Sequence, residues 1–123
     1  MAATMDATRE MKRELLRGVP RMRPDVVVAE CSSGLLEIRL TIERGDGFFA
    51  MFRPAVTEKR YELDEFGSFV VREMNGSSTV MQIIEAFRRR FGMSRRECEL
   101  GVVAFLKMLI HRRAATVTSI PES

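Results

Sequence analysis

Two hydrophobic periods run along the chain, and the switch between them divides it. Over residues 35–43 the period is two, with Leu36, Ile38, Leu40 and Ile42 on one face and Glu37, Arg39, Thr41 and Glu43 on the other. A β-branched run at residues 26–31 precedes it across Ser32, Ser33 and Gly34, so the pattern predicts an antiparallel hairpin with one buried and one wet face. Residues 58–63 read as a further short strand, with Tyr61 and Leu63 on one face. Beyond Asp64 the period becomes helical. Phe66, Phe69, Val70 and Met74 follow the N-cap Asp64 and end at Asn75-Gly76. Val80, Ile83, Ile84, Phe87 and Phe91 follow Thr79, whose capping-box partner is Gln82, and end at Gly92. Cys98, Val102, Phe105 and Leu109 follow Ser94, paired in the same way with Glu97.

The third of these helices carries a second apolar stripe, Val103, Leu106 and Ile110, displaced by about 90° around the axis. A surface helix seldom needs so wide an arc. The short strand, the segment 114–120 or a bound ligand must cover the extra flank.

The ends of the chain and its middle are less regular. Residues 1–18 have a helical pattern in Met11, Leu15 and Leu16, which Gly18 can terminate, and Pro20 and Pro24 mark a connector. Residues 44–57 begin with a turn and hold the cluster Phe48 to Phe52, suited to a strand, a clamped loop or a partner-binding patch. The organisation expected is a helical extension at 1–19 and one α+β domain at 20–120. Its architecture is winged helix-turn-helix-like, a small antiparallel sheet of about three strands followed by three helices.

Composition narrows the class. An apolar fraction of 46% supports a folded core, and no apolar run is long enough to span a membrane. The mixed charges of the first residues argue against a secretory signal, and the distant Cys31 and Cys98 read as buried thiols, so a cytoplasmic setting is expected. The net charge of +3 is unevenly spread. Residues 25–76 hold six bases and ten acids, whereas residues 77–113 hold eight bases and three acids. The basic helical half suits an acidic peptide or a phosphate backbone.

Catalytic chemistry has little support. His111 stands beside Arg112 and Arg113 near a helix end, where cations suit the dipole. One histidine and two distant cysteines make no zinc pattern, and Gly45 and Gly47 lack the helix and lysine of a phosphate loop. No cofactor or metal is expected. Nucleic-acid binding is the stronger rival, because Arg95 and Arg96 open the last helix as a recognition helix would, with Arg88, Arg89 and Arg90 nearby. Glu97 and Glu99 beside them, and the lack of interleaved aromatics, count against it.

The ordered set Leu63-Asp64-Glu65-Phe66-Gly67, Asn75-Gly76 before Thr79-Val80, Ile83-Ile84, Phe91 before Ser94, and Phe105-Leu106 resembles the pyrroloquinoline quinone biosynthesis protein D (PqqD-like) family. The likeness covers residues 61–113 well and 20–60 loosely. It implies a non-catalytic peptide chaperone, also called a RiPP recognition element. Such a domain binds the leader of a ribosomally made precursor and presents it to a modifying enzyme, often a radical S-adenosylmethionine protein. In that family the leader adds as a strand beside the third β-strand and lies against the third helix. The corresponding positions here are Glu58, Lys59, Arg60, Tyr61, Glu62 and Leu63 for the strand, and Val103, Leu106 and Ile110 for the helix. The expected partners are a leader peptide and its modifying enzyme, with no membrane and no nucleic acid. A transcriptional regulator is the alternative, and a structural homo-oligomerisation domain the third reading. The extension 1–19 and the insertion 44–57 depart from the family pattern, which favours the general class over quinone-cofactor synthesis itself.

Overall fold

A computed structural model describes residues 12–43 and 56–118. The elements run in the order α1 (residues 12–17), β1 (Val19–Met22), β2 (Val27–Glu30), β3 (Leu36–Glu43), β4 (Val56–Glu62), α2 (Glu65–Glu73), α3 (Val80–Phe91), α4 (Arg95–His111) and β5 (Ala115–Thr118). The result is an α+β fold. Its described parts form two compact units, Arg23–Ser68 and the combination of Met1–Met22 with Phe69–Ser123, and the division falls within α2. The cluster Phe48 to Phe52 and the start of the N-terminal helix lie outside the described residues.

In the unit Arg23–Ser68 the sheet order is β2-β3-β4, antiparallel throughout. The expected hairpin forms: the Cys31 N–H donates to the Leu35 carbonyl at 2.7 Å, and Gly34 turns the chain at φ 87°. Leu36, Ile38 and Leu40 are buried, as the period of two requires. Ser68 closes a gap at the end of the ladder, its buried Oγ accepting from the Leu36 N–H at 2.9 Å. That bond satisfies a strand amide that would otherwise be buried without a partner.

The other unit is built on caps. Thr79 and Gln82 make both bonds of the capping box, and Gly92 closes α3 in the left-handed region with its N–H on the Arg88 carbonyl. Ser94 caps α4 by accepting from the Glu97 N–H at 3.2 Å. Val80, Ile83, Ile84 and Phe87 are buried along α3. Phe69, Phe87 and Phe91 meet edge-on or tilted with centroids 4.6–5.8 Å apart, geometry that suits the ring quadrupoles.

The structure corrects three expectations. The connector after Gly18 is partly a strand: β1 pairs antiparallel with β5, Val19 opposite Thr118 and Met22 opposite Ala115. In α2, Phe66 is 45% exposed, whereas Val70 and Val71 are buried, so the buried arc lies on a different face from the one assigned. In α4, Leu106 replaces Phe105 on the buried stripe, which reads Cys98, Val102, Leu106 and Leu109. Steps of four, four and three residues keep those side chains within about 80° of arc.

The exit from α4 holds a strained residue. Arg113 sits at φ 60°, where a side chain costs about 1 kcal/mol, and the Ala114 N–H behind it donates to the Leu109 carbonyl. Arg113→Gly should therefore raise stability by roughly 0.5–1 kcal/mol in urea unfolding, because glycine takes this conformation without a Cβ penalty.

Candidate functional site

β4 forms one margin of its sheet. It pairs with β3 from Glu37 opposite Glu62 to Glu43 opposite Val56, and its other side has no strand among the described residues. One bond sets the polarity of that margin. Just past the ladder, the Leu63 N–H donates to the Leu36 carbonyl at 2.9 Å. Antiparallel pairs alternate between hydrogen-bonded and non-bonded, so Tyr61 and Lys59 point their backbone groups at β3. Glu58, Arg60 and Glu62 then turn their N–H and C=O groups outward. The side chains alternate too. Glu58, Arg60 and Glu62 lie on the sheet face away from the buried leucines, whereas Lys59, Tyr61 and Leu63 share the face of Leu40, Ile38 and Leu36. Leu63 is buried and Tyr61 half-buried, while the other four strand positions are exposed.

The helix positions behave differently. Val103 is half-buried and Ile110 is 38% exposed, but Leu106 is 0% exposed and belongs to the core. Leu106 is thus no open anchor for a partner. β4 and α4 fall in different units, and the structure brings the six strand positions together on one strand and the three helix positions together on one helix.

The outer flank of α4 is partly occupied by the chain itself. Lys12 of α1 forms an ion pair with Glu99. Lys12 and Leu15 with Glu99, Leu100, Val103, Ala104 and Lys107 line a cleft of about 510 Å³. Leu100, which belongs to neither apolar stripe of this helix, is the most exposed large apolar side chain described.

The basic corner between α3 and α4 is the site of the rival reading. Arg88, Arg89 and Arg95 line a cleft of about 560 Å³ with Glu85, Gly92, Met93 and Ser94. Glu85 lies within it, 3.1 Å from Arg88 and 3.8 Å from Arg95. One carboxylate therefore offsets part of the charge that a phosphate backbone would meet. Arg96 is exposed.

Both cysteines are free thiols, with Cys31 half-buried and Cys98 buried. Burial first, and Glu97 second, push the Cys98 thiol above its ordinary value of 9.0, so it stays protonated and inert at neutral pH. Its Sγ faces the Met93 carbonyl at 3.7 Å. Among the described residues no group of three His, Cys, Asp or Glu side chains is placed to hold a metal, and no helix is long and apolar enough to cross a membrane.

A small antiparallel sheet followed by capped helices is an architecture shared with a solved structure. The chain is similar to one described as "Lasso peptide synthetase B1 complexed with the leader peptide", with a TM-score of 0.58 and 15% identity, over 80% of this chain and 98% of that one. The likeness is one of fold. Residues 53–114, half of the chain, match the family described as "Coenzyme PQQ synthesis protein D (PqqD)". The chain belongs to the PqqD family. No curated protein matches it.

Proposed function

We propose that this protein is a non-catalytic recognition module that binds the leader of a ribosomally made precursor peptide by strand addition along β4 and presents it to a modifying enzyme. The observation that carries the reading is the outward row of backbone groups at Glu58, Arg60 and Glu62 on a sheet margin. Family membership supports it, as does the shared fold with a lasso peptide synthetase B1 described in complex with a leader peptide. A cytoplasmic setting and a radical S-adenosylmethionine partner are consistent with this role and belong to the same proposal.

Energetics assign the margin a particular share of the work. About four backbone hydrogen bonds contribute roughly 1 kcal/mol each. Ordering a flexible leader costs about 2–5 kcal/mol, which offsets most of that gain. Micromolar affinity needs about −8 kcal/mol, so two or three side-chain anchors at about 1.5–3 kcal/mol each must supply the rest. Backbone pairing sets direction, and side chains set register and affinity.

Arg60→Pro tests the reading. It removes an outward N–H without removing a bond to β3, and proline is tolerated on sheet edges. Titration of the variant with a peptide selected on the parent protein from a displayed random library should show roughly a tenfold weaker Kd, from one lost donor and local misfit. Unchanged affinity in a variant with native circular dichroism would sink strand addition at this edge. The runner-up, a winged-helix DNA-binding regulator, rests on Arg95 and Arg96. It requires duplex affinity that falls steeply with salt and is lost on Arg96→Ala.

A further inference from the structure

Like charges stand opposite one another on the outer face of the β2-β3-β4 sheet. The register sets Arg39 against Arg60 and Glu37 against Glu62. From β2 the same rows receive Val27 and Ala29, so no opposite charge enters from that side. Like charges directly opposed weaken an antiparallel pair. Partial relief comes along each strand, where Arg39 lies 3.3 Å from Glu37 and Arg60 lies 3.3 Å from Glu58. The Arg60–Glu58 contact is exposed and of modest strength, and the Arg39–Glu37 contact is partly buried. The rows are left with a surplus of one sign at each level, and on the β4 side no strand among the described residues continues them.

A strand laid on that margin would place alternate side chains beside Glu58, Arg60 and Glu62. We propose that these three residues select the segment by the sign of its charges, accepting a cation, an anion and a cation at three alternate positions. The inference rests on strand addition at β4 and names the class of peptide admitted there. Each incoming charge would meet an opposite one on β4 and complete a row that β3 and β4 leave unbalanced.

Two properties of the row make it a register device. The order acid, base, acid is palindromic, so the same peptide pattern fits whether the added strand runs parallel or antiparallel to β4. A slip of two residues sets a cation against Arg60 and an anion against an acid. A slip of one turns the charges onto the other face, toward Lys59 and Tyr61. One alignment is favoured and its neighbours are penalised, which is what delivery of a fixed modification site to an enzyme requires.

The test is a selection from a displayed library of random peptides on the full-length chain, run beside the triple variant Glu58→Lys, Arg60→Glu, Glu62→Lys. The variant keeps alternating signs along β4 and sets opposite charges against Arg39 and Glu37, so it should fold at least as well as the parent. The parent should enrich peptides with cation, anion and cation at alternate positions, and the variant the inverse. Cross-testing a selected peptide on the other protein should cost roughly tenfold in Kd, from three cross-strand pairs, and the cost should shrink as salt rises. Enrichment of the same peptides by both proteins, still lost on Arg60→Pro, would overturn the charge rule and leave strand addition standing. Enriched peptides insensitive to Arg60→Pro, or no enrichment at all, would overturn both. Retention of duplex DNA dependent on Arg96 in place of peptide would do the same.

Discussion

Replacing Leu106 by Asp should unfold the protein. Its side chain has 0% of its surface exposed and lies on the same stripe as Cys98, Val102 and Leu109. Truncating such a leucine to alanine alone costs about 2–5 kcal/mol through lost transfer energy and the residual cavity. Aspartate adds a carboxylate with no buried partner, which must be neutralised or hydrated at a cost of several kcal/mol more. Domains of this size have about 5–15 kcal/mol in total. The expected result is loss of the cooperative thermal transition by circular dichroism at neutral pH. Ile110→Asp, one helical turn further on and 38% exposed, should leave the transition within a few degrees of the parent. A folded Leu106→Asp protein would mean that this face of α4 is reachable by solvent or a ligand.

Leu106 also marks the limit of what periodicity reveals. The caps at Asp64, Thr79 and Ser94 and the glycines at 34, 76 and 92 were legible because each element end depends on one or two neighbouring residues. The central angle of a buried arc does not. Phe105 and Leu106 are neighbours about 100° apart on the wheel, and either completes a stripe with Val102 and Leu109. Only the packing of the finished fold distinguishes them. The β1–β5 ribbon was hidden for another reason. Pro20 within Val19–Met22 reads as a connector, and its partner Val117 lies at the far end of the chain. An edge strand tolerates a proline because one side of its ladder is unused. At the candidate site, the identity of the strand was visible in the alternation of residues 58–63. Which of its amides face outward was not, because that depends on the Leu63–Leu36 bond. The opposed rows Arg39/Arg60 and Glu37/Glu62 likewise need the register between two strands.

Gly18→Ala should cost about 2–3 kcal/mol, and Val117→Ala should restore part of it. A Cβ at residue 18 would come within 2.2 Å of Val117 Cγ1, closer than any real contact, and within 3.4 Å of the Leu15 carbonyl oxygen. Valine is branched at Cβ and cannot swing that methyl away cheaply. Either β5 or the end of α1 must move. Overpacking of this kind costs about 1–3 kcal/mol. Movement of residue 18 also strains a second contact, because its carbonyl accepts from the Val80 N–H at 2.9 Å. Val80 is the first residue of α3, and its amide has no partner within the helix. Gly18 therefore joins three elements at one point: the end of α1, the ribbon with Val117 and the start of α3. Urea unfolding of the two single variants and the double variant gives the coupling directly. A double variant more stable than the sum of the singles by about 1 kcal/mol or more is expected, since shortening Val117 opens the space that the added methyl needs. Simple additivity would show that the close approach is relieved elsewhere, and that the glycine serves the turn after α1 and not the ribbon.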